Sequence, residues 1–100
     1  MSKPIIIVVG GGAAGLLAAG KAAENGAKVI ILEKMKRPAR KLVITGKGRC
    51  NITNLTNLDE FLPHFGRTSK FMRPAFNALF NTELKNFLYN LGLEMVDERG

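Results

Sequence analysis

Cysteine is almost missing from this chain: Cys50 stands alone, so no internal disulfide can form and a reducing, cytoplasmic setting is the expected one. Histidine is equally scarce, and His64 has no second His or Cys nearby, which excludes the usual spacing of a metal site. No apolar run is long enough to span a bilayer. Residues 5–20 are uncharged and follow Lys3, but Gly10-Gly11-Gly12 interrupts them, so a secretory signal is not expected either. Without export, the sequons at Asn51 and Asn54 carry no meaning. No Ser-His-Asp arrangement, carboxylate pair, internal repeat or low-complexity tract is present, and no catalytic residue is assigned. Acidic residues are missing from 34–49, where Lys34, Lys36, Arg37, Arg40, Lys41, Lys47 and Arg49 fall together.

What is present points to a folded domain. The chain has 100 residues, 46% of them hydrophobic, enough for one small domain with a thin core. Charge is uneven. Residues 1–50 hold ten Lys and Arg against two Glu, and residues 51–100 hold five against six acids. The basic block suits phosphates, in a cofactor or in nucleic acid; it also suits a solvated loop.

Ile5 to Val9 is an unbroken β-branched run, the pattern of a strand buried on both faces of a parallel sheet. The glycines at 10–12 end it, Ala13 to Asn25 is rich in helix formers, and Gly26 is placed to close that helix. Lys28 to Leu32 reads as a second strand ending at Glu33. Strand, helix and strand over 4–33 make a βαβ unit with parallel strands, so the expected fold class is α/β, Rossmann-like. A loop is expected over 34–57, with a helical turn at 40–44, and a helical segment over 58–91. Within the latter, Phe71, Met72, Ala75, Phe76, Leu79 and Phe80 share an apolar face, Pro74 is tolerable only near a first turn, and Thr82 is a candidate cap. The aromatic and Met residues read as core. Leu93 starts a further strand, expected over 93–97.

The glycine turn carries the chemistry. Gly10-Gly11-Gly12-Ala13-Ala14-Gly15 fits G-x-G-x-x-G between a strand and a helix. Gly10 permits the tight turn, Gly12 lets a pyrophosphate approach bare backbone, and Gly15 lets the helix pack on the sheet. The helix start offers free N–H groups to the phosphates. Ala19, Gly26, Val29 and Glu33 then fall at every further position of the longer dinucleotide fingerprint. Glu33 at the strand end can accept hydrogen bonds from both ribose hydroxyls and would repel a 2′-phosphate. This pattern does not separate FAD from NAD.

The next segment, Arg40-Lys41-Leu42-Val43-Ile44-Thr45-Gly46-Lys47-Gly48-Arg49-Cys50-Asn51-Ile52-Thr53-Asn54, resembles a signature of the BaiN-like and aminoacetone oxidase family of FAD-binding flavoproteins. The likeness is strong over residues 5–54. It departs at Ala39, where a glycine is expected and the local turn is altered, and Lys47 fills a variable position. The resemblance implies FAD as cofactor, with NAD(P)H as a transient electron donor and a small organic substrate such as an activated C=C bond. It places Thr45 to Asn54 beside the flavin, Gly46 and Gly48 in close backbone contact, and Arg49 against pyrophosphate or reduced flavin. The full set of expected cofactor contacts is Gly10, Gly12, Ala13, Ala14, Gly15, Glu33, Lys34, Arg40, Lys41, Thr45, Gly46, Gly48, Arg49, Cys50, Asn51 and Thr53. Cys50 is read as a packing or flavin-contact residue rather than a redox thiol. Proteins of this group are several times longer, so the chain reads as the N-terminal part of an FAD-binding domain, partnered by the remainder of a parent chain; the parent is the expected oxidoreductase, and the 100 residues alone are expected to be inactive. Two other readings stay open: an NAD-binding dehydrogenase module, and a basic nucleic-acid-binding piece, the latter weakened by the absence of interleaved aromatics.

Overall fold

Two strands and one helix form at the first thirty-odd positions for local steric reasons, and the computed structural model, which describes residues 2–44 and 50–98, shows them in the expected order. Strand β1 (Ile5–Val9) pairs in parallel with β2 (Lys28–Leu32), in register from Ile5 opposite Lys28 to Val9 opposite Leu32. The ladder extends one bond at each end, Lys28 N–H to Pro4 C=O and Gly10 N–H to Leu32 C=O, both 2.8 Å. Helix α1 (Ala13–Glu24) connects them. It stops where Gly26 takes φ +94 and its N–H reaches the Ala23 carbonyl at 3.0 Å, while Ala27 N–H reaches Ala22 at 3.1 Å. That bond pair is the left-handed glycine closure of a helix.

Ala19 is the buried residue of α1 and seats the helix on the sheet, as its place in the fingerprint requires. The opposite sheet surface is not covered. Ile5, Ile7 and Val9 are 64%, 58% and 83% exposed, against the expectation of a strand buried on both faces. A two-stranded sheet with a single crossover helix has only one covered side, so the β-branched run keeps its strand geometry while losing its burial.

The chain divides into two compact units, Met1–Asn51 and Ile52–Gly100. The first also contains the short helix α2 (Arg40–Ile44), at the position of the expected helical turn. The second is helical: α3 (Leu58–Phe61), a 3-10 segment over Leu62–Thr68, α4 (Ser69–Ala78) and α5 (Asn81–Asn90). Its core is a group of rings. Phe61 packs edge-on against Phe76 and Phe80 with centroids 5.4 and 5.1 Å apart, and Phe65 joins them at 5.5 Å from Phe76. Such geometry sets positive ring edges against negative faces. Leu62 is buried with them.

Three local expectations are corrected here. Phe71 is 83% exposed, because it lies about 100° round the helix from Met72 and so leaves the face that Phe76 presents. Pro74 stands at the sixth residue of α4, beyond the first turn; it and Lys70 are exposed, so water can serve the carbonyl that lacks an amide partner. Thr82 is not the cap of α5, which begins one residue earlier at Asn81.

The strand expected over 93–97 is absent as well. The described residues of its own unit supply no strand for it to pair with, and Lys85 Nζ ties Asp97 to α5 with contacts of 2.9 and 3.0 Å to its two carboxylate oxygens.

Candidate functional site

The bend from β1 into α1 is made by three glycines with three different tasks. Gly10 takes φ +97, a conformation that L side chains rarely adopt. Gly11 is buried: its N–H donates to Glu33 Oε1 at 2.9 Å and its carbonyl accepts from Ala39 N–H at 2.6 Å. Gly12 starts α1 in extended conformation, with no side-chain cap and no acidic residue in the first helical turn. A Cβ at Gly12 would meet nothing within 4 Å, whereas one at Gly15 would collide with the Gly10 carbonyl and come within 3.3 Å of Val8 Cγ1. Gly15 is therefore required by packing, and Gly12 is bare beside open space.

Glu33 is half-buried at the end of β2. Its Oε2 accepts from Met35 N–H at 2.8 Å. The amide of Met35 and then that of Gly11 hold its carboxyl below the usual carboxylate range, outweighing the opposing cost of burial, with the charge of Lys34 adding least. The group is thus anionic at neutral pH, and each oxygen keeps a further lone pair for a hydroxyl donor.

A cavity of about 630 Å³ opens on these groups. Its walls are the backbone from Gly11 to Ala13, the Glu33 side chain, the cations Arg40 and Lys41, and Leu42 and Asn51. Helix α2 brings the two cations there, and its first carbonyl partner is Ala39, which accepts from Val43 N–H at 3.1 Å. The arrangement can receive an anion on uncapped helix N–H groups flanked by positive charge, with a polyol at the carboxylate. These residues fit the adenosine diphosphate half of a dinucleotide.

Of the expected contacts, Gly12, Ala13, Glu33, Arg40, Lys41 and Asn51 come together at this cavity. Gly10 and Gly15 shape the turn behind it, and Ala14 and Lys34 are not among its walls. Thr45, Gly46, Gly48 and Arg49 lie outside the described residues. Cys50 is exposed rather than packed. Thr53 belongs to the second unit, where its hydroxyl is 3.5 Å from the Asn54 carbonyl.

Sequence reasoning missed three participants. Gly11 fills a variable position of the fingerprint, yet a Cβ there would stand 3.1 Å from Pro38 Cβ; the triple glycine was the available signal. Ala39 stands out in the sequence only as a departure from the similar segment. Asn81, 6% exposed, donates through Nδ2 to the carbonyls of Asn54 and Thr56 at 2.8 and 2.7 Å, and its Oδ1 accepts from Thr82 N–H at 2.7 Å. It fixes the loop before α3, where a second cavity of about 670 Å³ is lined by Thr56, Glu60, Phe61 and His64 among others. No sequence signal marked Asn81.

The family described as HI0933-like protein Rossmann domain matches residues 4–100. The chain belongs to that family. This HI0933-like group is the FAD-binding flavoprotein family that the sequence around residues 5–54 resembles. Among curated proteins, the ribosomal RNA dihydrouridine synthase of Escherichia coli (strain K12) is 44% identical over 34 residues, which is 34% of this chain and 8% of that protein. The matched stretch is thus a small part of the relative. No described helix is long and apolar enough to cross a membrane.

Proposed function

We propose that this HI0933-like chain binds FAD and forms the nucleotide-binding part of a flavin-dependent oxidoreductase. The observation that carries the reading is the bare, uncapped backbone at Gly12, facing open space with Glu33 on the same cavity. Ala13 and Ala14 follow on the first turn of α1, Arg40 and Lys41 offset diphosphate charge, and Glu33 accepts from the adenosine ribose. Asn51, on the same cavity, is proposed to begin the flavin side, with Thr45, Gly46, Gly48, Arg49, Cys50 and Thr53 continuing it.

When bound, the flavin supplies hydride chemistry that no side chain offers, and the protein binds, orients and shields. The resemblance favours NAD(P)H as donor and an activated C=C bond as acceptor. The remainder of a longer chain would supply the substrate surface. An exposed thiol at Cys50 suits a reducing cytoplasm.

A second reading concerns the acceptor. The similarity to a ribosomal RNA dihydrouridine synthase, together with a basic block free of acids from Lys34 to Arg49, favours a uracil ring in RNA as the C=C bond reduced. The cations of the block other than Arg40 and Lys41 would then meet the phosphates of the RNA.

Purification of the protein tests both. Visible flavin absorbance, with FAD released on heating, supports the first reading; a colourless protein retaining NAD contradicts it. Salt-sensitive binding of ribosomal RNA to the flavin-loaded protein supports the second, and indifference to RNA at low salt contradicts it.

A further inference from the structure

The proposed reading leaves Pro38 and Ala39 without a task, yet they lie directly on the glycine turn. The segment between β2 and α2 grips Gly11 at both of its backbone polar groups: Glu33 Oε1 takes the N–H at 2.9 Å, and Ala39 N–H meets the carbonyl at 2.6 Å. Pro38 closes over the same residue, its Cβ 3.1 Å from where a Gly11 Cβ would stand. In a trans peptide the N–H points opposite to the C=O. Holding the Gly11 carbonyl against this strap therefore turns the Gly12 N–H the other way, at the residue where α1 begins without a cap. Ala39 does this at φ +58, the one non-glycine residue with positive φ among those described. An alanine Cβ is disfavoured there.

We infer that the Pro38–Ala39 strap is a positioning device for the cofactor diphosphate, with Ala39 its strained residue. The inference rests on the reading that a dinucleotide lies at Gly12. The strap touches no ligand; it acts by setting the peptide plane between Gly11 and Gly12. Strap closure and diphosphate binding favour one another, and each changes the other by the same factor. Strain at Ala39 opposes closure, so this chain holds its cofactor less tightly than a glycine at 39 would allow.

The test titrates the full chain and its Ala39→Gly and Ala39→Val variants with FAD, ADP and adenosine. Ala39→Gly is expected to bind FAD and ADP several-fold more tightly. Ala39→Val, with a β-branched side chain at positive φ, is expected to bind both about tenfold more weakly, the equivalent of roughly 1.4 kcal/mol. Adenosine lacks the diphosphate and should bind all three proteins alike. Equal FAD and ADP affinities across the series overturn the inference, and so does an adenosine affinity that falls in step, since that marks mere support of the fold. Should Ala39→Val not fold, amide exchange in the unaltered chain decides: ADP should slow exchange at Ala39 N–H, and an unchanged rate overturns the strap's role. An unaltered chain that binds neither FAD nor ADP contradicts the dinucleotide reading itself. One that binds both, with variants that match it, contradicts the strap alone.

Discussion

In Met1–Asn51 the decisive contacts run through bare backbone, whereas in Ile52–Gly100 they run through aromatic rings and one buried amide. The first unit omits a side chain at Gly15 to set α1 against β1 and another at Gly11 to admit Pro38, and it leaves the β-branched surface of β1 open. The second has edge-packed Phe61, Phe76 and Phe80 with a tilted Phe65 at its centre, and Asn81 tying its entry loop. Adding a single carbon should therefore hurt the first unit most, and removing a side chain the second.

The largest effect expected is that of Gly15→Ala. Its Cβ meets the Gly10 carbonyl, a backbone atom that cannot rotate away. Overpacking of this kind costs about 3 kcal/mol or more, and thermal unfolding of the variant should show loss of the cooperative transition or a large drop in Tm. If Gly15→Ala unfolds like the unaltered chain, the backbone account of the first unit is broken. Phe76→Ala comes next. Phe76 touches three other rings but is only half-buried, so about 2–3 kcal/mol is expected by denaturant titration. Asn81→Ala should cost about 1–3 kcal/mol, because the carbonyls of Asn54 and Thr56 lose the amide that ties them to the start of α5. A cost as small as that of an exposed substitution would show that the amide is incidental to the second unit.

A smaller effect concerns pH. The Glu33 carboxyl is held below the usual range by the amides of Met35 and Gly11, so its contribution to the fold is present above the unfolded-state value. It is lost as pH falls through the lowered native value. Tm of the unaltered chain should therefore approach that of Glu33→Gln in acid and exceed it at neutral pH. A constant gap between the two across that window would show that ionisation of Glu33 does not stabilise the glycine turn.

Much of the first unit was legible from the order of residues because its rules are local. Five β-branched residues, a glycine turn, an alanine-rich helix and a closing Gly26 specify β1, α1 and β2 almost residue by residue. The exposure of Ile5 and Val9 was not legible, since burial depends on what else covers the sheet. The strap over Gly11 was seen only as an oddity at Ala39, because its two hydrogen bonds join residues 22 and 28 positions apart. Asn81 was invisible for the same reason, its partners lying 25 and 27 positions away. The strand expected from Leu93 shows the converse: a local pattern without a neighbouring strand makes none.

The smallest effect on folding is expected at Gly12, and there the largest effect on cofactor. A valine Cβ at this position meets nothing within 4 Å, and φ −83 with ψ −170 is ordinary extended backbone. Gly12→Val should keep unfolding free energy within about 0.5 kcal/mol of the unaltered chain while abolishing FAD retention. The direct measurement is the flavin absorbance of the purified Gly12→Val protein beside that of its parent. A folded, colourless variant from a yellow parent is the expected result; a folded variant that keeps its FAD would contradict the placing of the diphosphate at this turn.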